Sequence, residues 1–371
     1  MKSFAIGHRC PRNRWLVVSQ LVELVALDSR LVPASLTPDS PSSRTTSSGP
    51  APSTTGSVTI LDGGMGKFLR RIGAPFRQPE WSALALIESP DHVVDAHTQF
   101  IDAGAQVIIT NNYAVVPYHL GDDRFAADGA NLIELSGRLA RQAADTAGVV
   151  LVGGSLPPLF GSYEPDLYDA DRAPGMYALI VQQLDRYVDV WIAETLSLVA
   201  ELDVIVAAIR EHGSGQPIWA SFSLPDTYDG QIALRSGDTI DDIIDVVTEH
   251  ADVVEAVMFN CALPEQMTPA INELAEKVAT SKLDVRIGGY ANGFPHARQP
   301  EYAANNTIFE RRPDLDAASY AEIVAGWVEA GATIIGGCCD MYPEDIAALA
   351  TRFSSRLSTF DPRESGLFGA T

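Results

Sequence analysis

Three cysteines carry the chemistry that this sequence can do. Cys338 and Cys339 close the stretch Ala332-Thr-Ile-Ile-Gly-Gly-Cys-Cys339, and Cys261 ends another apolar run, Val257-Met-Phe-Asn-Cys261. Three thiols at the tips of two buried-type strands form a soft donor set, which favours Zn2+ over the oxygen-binding Mg2+ and Ca2+. Three protein ligands and one vacant position make a catalytic arrangement, since structural zinc sites are usually closed by four. A thiol bound at the vacancy would lose its proton and attack as a thiolate at neutral pH. Neighbours on a strand point to opposite faces, so Cys338 and Cys339 share one ion only where the backbone bends, and Gly336-Gly337 is expected to supply that bend. The competing reading is structural, because free cysteine is among the most buried residue types and each thiol can serve as a small hydrophobe.

Two carboxylates stand out beside the thiols. Asp62, in Ile60-Leu-Asp-Gly-Gly-Met-Gly66, follows an apolar run and precedes Gly63. It can cap its own turn, or it can hold a cationic amine. The G-G-M-G run lacks both the Lys-Ser/Thr ending of a P-loop and the G-x-G-x-x-G spacing of a dinucleotide fold, so no nucleotide site is read here. Glu194 follows Val190-Trp-Ile-Ala193, and a carboxylate there needs a partner, either a substrate ammonium or a nearby arginine. None of the seven histidines pairs with another at ligand spacing, and His97, His212 and His250 fall in helical patterns as expected surface residues.

Positioning these groups requires a repeated architecture. From residue 57 onward, β-branched runs alternate with amphipathic stretches, the pattern of βα units around a parallel sheet. The expected strands are Val58–Leu61, Gln106–Thr110, Val149–Gly153, Val188–Ala193, Ile218–Phe222, Ala256–Asn260, Val285–Gly289 and Thr333–Gly336. The expected helices are Asp91–Ala103, Ala127–Thr146, Met176–Tyr187, Leu198–His212, Thr239–Glu249, Pro264–Ser281, Ala317–Glu329 and Pro343–Arg356. Eight such pairs suit a (β/α)8 TIM barrel; the alternative is an open doubly wound sheet. The polar residues favour the barrel, because they follow strand after strand: Asp62, Asn111-Asn112-Tyr113, Ser155, Glu194-Thr195, Asn260-Cys261, Tyr290-Ala291-Asn292 and Cys338-Cys339. An open sheet would gather its site at one switch point.

Composition sets the bounds. A formal charge of -22 argues against nucleic-acid and anionic-membrane partners, which are bound through clustered Lys and Arg. Four cysteines in 371 residues are too few for a disulfide scaffold and suit a reducing cytoplasm. No apolar run of about 18 residues spans a bilayer. Residues 1–56 differ from the rest: they hold six of the 26 Lys+Arg but three of the 48 Asp+Glu, and the stretch from Ser35 to Ser57 is mostly Ser, Thr, Pro and Gly. Such a segment buries too little apolar surface to offset its ordering entropy and reads as a disordered, dispensable extension, with Cys10 in no functional role. Residues 57–371 are then the barrel domain. The apolar segment Trp15–Leu27 is interrupted by Gln20 and Glu23, which argues against a signal peptide.

Together these residues resemble the homocysteine S-methyltransferase family of zinc-thiolate barrels. The resemblance is carried by L-D-G-G-M-G at 61–66, A-G-A-Q-V-I-I-T-N-N-Y at 103–113, G-S-L-P-P at 154–158, E-T at 194–195, N-C at 260–261, Y-A-N at 290–292 and G-G-C-C at 336–339. It implies zinc on Cys261, Cys338 and Cys339, and Asp62, with Gly63 beside it, and Glu194 holding the amine of homocysteine. The implied reaction moves a methyl group from S-methylmethionine or S-adenosylmethionine to the zinc-bound thiolate, giving methionine, with no protein side chain acting beyond that activated thiolate. Betaine fits less well as donor, and a folate donor normally needs further domains. Another thiol or selenol acceptor, or a non-catalytic zinc barrel, are the alternatives. Where relatives commonly continue with Gly-Thr-Thr-Pro after G-G-C-C, this chain has Asp340-Met341-Tyr342-Pro343. Asp340 therefore brings a negative charge beside the ligands, a change that alters the loop or disfavours a thiolate. Oligomeric state is left open.

Overall fold

The computed structural model describes residues 56–227, 230–295 and 308–359. Eight strands alternate with helices along the chain: β1 (Thr59–Ile60), β2 (Val107–Ile109), β3 (Leu151–Leu156), β4 (Val190–Leu196), β5 (Ile218–Phe222), β6 (Val254–Asn260), β7 (Arg286–Ala291) and β8 (Ile334–Gly337). They pair in the order β1-β8-β7-β6-β5-β4-β3-β2, and every pair is parallel. The two ends of that order meet at a bridge between Leu61 and Val107. There the Gln106 amide donates to the Ile60 carbonyl at 2.7 Å and the Asp62 amide to the Val107 carbonyl at 3.0 Å. This nearly closed ring is the expected (β/α)8 barrel.

Closure divides the apolar residues into two layers. Leu61, Val107, Val190, Ile192, Trp219, Met258, Tyr290 and Ile334 pack inside the ring, while alternate residues such as Ile60, Val152, Trp191, Val257 and Ile335 join the larger core under the helices. Strands buried on both faces read as continuous apolar runs, which is why they are legible in sequence. Arg286 closes the base of the ring, donating to Thr59 Oγ1 at 2.7 Å and lying 5.4 Å from the Trp219 ring centre.

The helices are α1 (Met65–Arg71), α2 (Ala83–Glu88), α3 (Pro90–Asp102), α4 (Pro117–Leu120), α5 (Asp122–Ala147), α6 (Ala173–Leu184), α7 (Ala200–His212), α8 (Ile240–Glu249), α9 (Pro264–Ser281), α10 (Ala317–Glu329) and α11 (Pro343–Arg352). Helices α9 and α10 match their expected limits. Helix α5 starts five residues earlier than expected, because Asp122 and Asp123 in its first turn complement the positive end of the helix dipole. Helices α1, α2 and α4 were not expected; they are short, and α1 opens among glycines. His97 corrects the surface reading: it is fully buried on α3, neither ring nitrogen has a hydrogen-bond partner, and burial pushes its pKa down to about 3. Cys10 and all of the N-terminal extension except Gly56 lie outside the described residues.

The barrel depends on close strand contacts at Gly288. A Cβ there would stand 2.3 Å from the Ile334 carbonyl oxygen, and backbone on a paired strand cannot yield cheaply. Gly288→Ala is expected to lower unfolding free energy by about 1–3 kcal/mol in chemical denaturation; a change within experimental error would show that the strands are not packed this tightly.

Candidate active site

The structure brings Cys261, Cys338 and Cys339 together. All three thiols are free, their sulfur atoms lie within 4.8 Å of one another, and Cys261 Sγ is 3.5 Å from Cys339 Sγ. Each cysteine is held through its backbone. The Cys261 amide donates to the Tyr290 carbonyl and the Cys338 amide to the Ala291 carbonyl. The Cys261 carbonyl accepts from Asn292 Nδ2 at 2.8 Å. Cys261 itself adopts φ +48°. Hydrogen bonding from the other two thiols pulls the Cys261 pKa well below its ordinary value, and the same contact pushes Cys338 and Cys339 up.

The bend that lets adjacent cysteines converge is not at Gly336-Gly337, which stay in β8. It lies one step later. The Met341 amide donates to the Cys338 carbonyl at 3.0 Å, closing a turn whose third residue, Asp340, has φ +64°. That is the left-handed region, which aspartate tolerates better than most side chains. The two glycines serve proximity instead: a Cβ on Gly336 would lie 2.6 Å from Leu61 Cβ, and one on Gly337 2.4 Å from Met341 Cβ.

The loop after β1 packs directly on this turn. A Cβ on Gly63 would meet the Met341 carbonyl at 2.5 Å, and one on Gly64 the Cys338 carbonyl at 2.5 Å. Asp62 is stitched between neighbours: its Oδ2 accepts from the Ile109 amide at 2.9 Å, and its carbonyl accepts from the Gly337 amide at 3.0 Å. Burial raises its pKa well above the carboxylate range. Glu194 lies inside β4, where the register shifts between Ala193 and Leu196, rather than after the strand as expected. Its Oε1 accepts from Ser155 Oγ at 2.5 Å, and burial lifts its pKa to about 7. Neither carboxylate enters an ion pair among the described residues, so the arginine that a structural role would supply is not there.

Asp62, Gly63, Glu194 and all three cysteines line one cavity. So do Trp81, Tyr163, Thr195, Cys261 and Asp340, which are five of the six non-glycine residues with positive φ among the described residues. Backbone strain of this kind collects where a site over-determines its geometry. The other expected polar residues brace the wall. Asn260 Oδ1 accepts from the Thr195 amide at 2.8 Å and from Ser221 Oγ at 2.9 Å, and Asn112 Nδ2 donates to the Ser155 carbonyl at 2.9 Å. Two features had no sequence signal. The Tyr163 hydroxyl lies 2.9 Å from Cys261 Sγ, and Lys67 on α1 pairs with Asp340 at 2.6 Å.

Comparison with known proteins agrees with this geometry. The homocysteine S-methyltransferase family model matches residues 59–353. The chain belongs to that family. It is 30% identical over 321 residues to homocysteine S-methyltransferase of Escherichia coli K12, covering 80% of this chain and 95% of that protein. It is 26% identical over 341 residues to selenocysteine Se-methyltransferase of Brassica oleracea var. italica, covering 84% and 93%. Among solved structures, the E. coli homocysteine methyltransferase superposes with TM-scores of 0.63 in its oxidised form, at 27% identity, and 0.62 in its metallated form, at 26%. Each covers 80% of this chain and 96% of that one. The protein is accordingly a methyltransferase, and its three-cysteine cluster is suited to a metal ion.

The carboxylate pair yields a pH expectation. A hydrogen bond donated to an ionised carboxylate stabilises that form, so Ser155 holds the Glu194 pKa down against burial. Ser155→Ala is therefore expected to move the Glu194 titration upward from about 7, read from carboxyl bands in infrared spectra with Glu194→Gln as the subtraction reference. A downward shift would mean that Ser155 does not act on the charged form.

Proposed function

We propose that this protein is a zinc-dependent homocysteine S-methyltransferase that takes its methyl group from a sulfonium donor, S-methylmethionine or S-adenosylmethionine. The observation that carries the reading is one cavity holding three converging free thiols and two buried carboxylates without cationic partners among the described residues. The donor set fits zinc: three thiolates at about 2.3 Å from one tetrahedral ion stand about 3.8 Å apart, close to the 3.5 Å between Cys261 and Cys339. Bound there, zinc supplies the Lewis acidity that keeps an acceptor sulfur deprotonated at neutral pH.

The chain's own residues do the rest. Asp62 and Glu194 receive the acceptor's α-ammonium, whose charge offsets the cost of ionising two buried acids. Below about pH 7 Glu194 is protonated, so affinity for the amine falls as pH drops through that value. Gly63 and Gly64 admit the loop after β1 to the thiols and bring the amine site beside them. The acceptor sulfur attacks the donor methyl carbon, and the carbon–sulfur bond of the sulfonium breaks with its electron pair staying on the donor sulfur. The departing thioether is neutral and takes no proton, so no general acid is needed. Alignment and exclusion of water are what the cavity contributes.

A selenol acceptor is the second reading, favoured by the likeness to proteins named selenocysteine Se-methyltransferase and selenocysteine methyltransferase. Three free thiols also suit a reducing, cytoplasmic compartment.

Purified zinc-loaded protein given homocysteine and S-methylmethionine or S-adenosylmethionine in turn is expected to form methionine with at least one; bound zinc without turnover on either would overturn the reaction. Cys338→Ala and Cys339→Ala are each expected to lose zinc and activity while the circular dichroism spectrum stays that of the parent; full metal content in either would reassign the site. Removing residues 1–50 is expected to leave turnover unchanged, and a collapse of the truncated protein would show that the extension belongs to the fold.

A further inference from the structure

The cavity has two polar poles of different character. At one, Asp62 and Glu194 are acids with no ion-pair partner among the described residues. At the other, Lys67 Nζ lies 2.6 Å from Asp340 Oδ2, with side chains 12% and 0% exposed. Lys67 is the one lysine or arginine among the described residues that line the cavity. It is thus the one fixed charge there that can meet a carboxylate. Its ammonium carries three donors; one goes to Asp340 and one to the Phe309 carbonyl. Asp340 uses its other oxygen to accept from the Tyr342 hydroxyl at 3.1 Å.

The pair is not needed to shape the cysteine turn. Main-chain bonds already close it: Met341 N–H to the Cys338 carbonyl, Gly293 N–H to the Cys339 carbonyl and Gly64 N–H to the Met341 carbonyl, at 3.0, 2.8 and 2.8 Å. A buried ion pair is weak as a source of stability, and an aspartate at φ +64° adds strain that a glycine would avoid. A lysine and an aspartate side by side do, however, complement a zwitterion, one charge for each end. The Phe294 ring lies 5.8 Å from Lys67 Nζ and 5.7 Å from the Phe309 ring in the same wall, and aromatic faces attract a sulfonium cation.

We propose that Lys67 and Asp340 dock the amino-acid head of the methyl donor, selecting sulfonium donors that carry both an α-carboxylate and an α-ammonium. Lys67 takes the carboxylate and Asp340 the ammonium, while the acidic pole serves the acceptor. This assignment rests on the methyl-transfer reading of the same cavity.

The test uses the full-length zinc-loaded protein, Lys67→Met, and the double variant Lys67→Met/Asp340→Asn, which removes both charges without leaving one buried and unpaired. With S-methylmethionine, the donor KM is expected to rise about ten- to a hundredfold, the loss of a charge-assisted hydrogen bond. The homocysteine KM, zinc content and kcat/KM with trimethylsulfonium, which has no head group, are expected to stay at the parent values. Equal losses with both sulfonium donors, or a raised homocysteine KM in place of the donor effect, would overturn the assignment. Calorimetric binding of S-methylmethionine separates the two layers. Lys67-dependent binding without methionine formation would contradict the reaction and keep the subsite; methionine formation with unchanged donor KM in both variants would keep the reaction and remove the subsite.

Discussion

The mouth of this barrel depends on how closely the loop after β1 approaches the turn after β8. Gly63 and Gly64 lie where any side chain would collide with the backbone of Cys338 and Met341, and the Gly64 amide bonds across the gap to Met341. That contact fixes the cysteine turn from one side; Gly293, bonded to the Cys339 carbonyl, fixes it from the other. The thiols converge because two loops are pressed together, with Asp340 taking up the left-handed geometry between them. Thiols placed this way are positioned by main chain, which is stiffer than side-chain rotamers.

Electrostatics follows from the same closeness. Three thiols, Asp62, Glu194 and Asp340 share one cavity with a single lysine and no arginine among its described lining residues, so ionising both Asp62 and Glu194 is costly. Burial holds Asp62 and Glu194 high in pKa. On the proposed reading, a divalent ion at the sulfurs and an ammonium at the carboxylates would relieve that cost together, and a site that is costly without its ligands is specific for them. The negative charge that Asp340 brings beside the thiols is paired, because Lys67 lies 2.6 Å from it.

What the sequence made legible follows from what repeats. The two-faced burial of β5 and the periodicity of α9 and α10 appear at their observed limits, and the cysteines and Asp62 could be placed at strand ends because a barrel puts its strand ends together, whereas Glu194 lies within β4. Three kinds of feature stayed hidden. The short helices α1, α2 and α4 carry too few turns for a pattern. The bend at the cysteines lies at Asp340 and not at the glycines, whose service is close packing, and a sequence does not distinguish a residue needed for its φ from one needed for its missing Cβ. Contacts between distant positions, such as Lys67 with Asp340, 273 residues apart, or Tyr163 with Cys261, 98 apart, have no local signature at all.

The central claim is that Cys261, Cys338 and Cys339 hold one zinc ion with a fourth position reserved for the acceptor sulfur. X-ray absorption at the zinc edge tests it most directly. Zinc-loaded protein is expected to show three sulfur neighbours at about 2.3 Å, rising to four when homocysteine is added. Fewer than three sulfurs, or a sulfur count unmoved by homocysteine, would contradict the account.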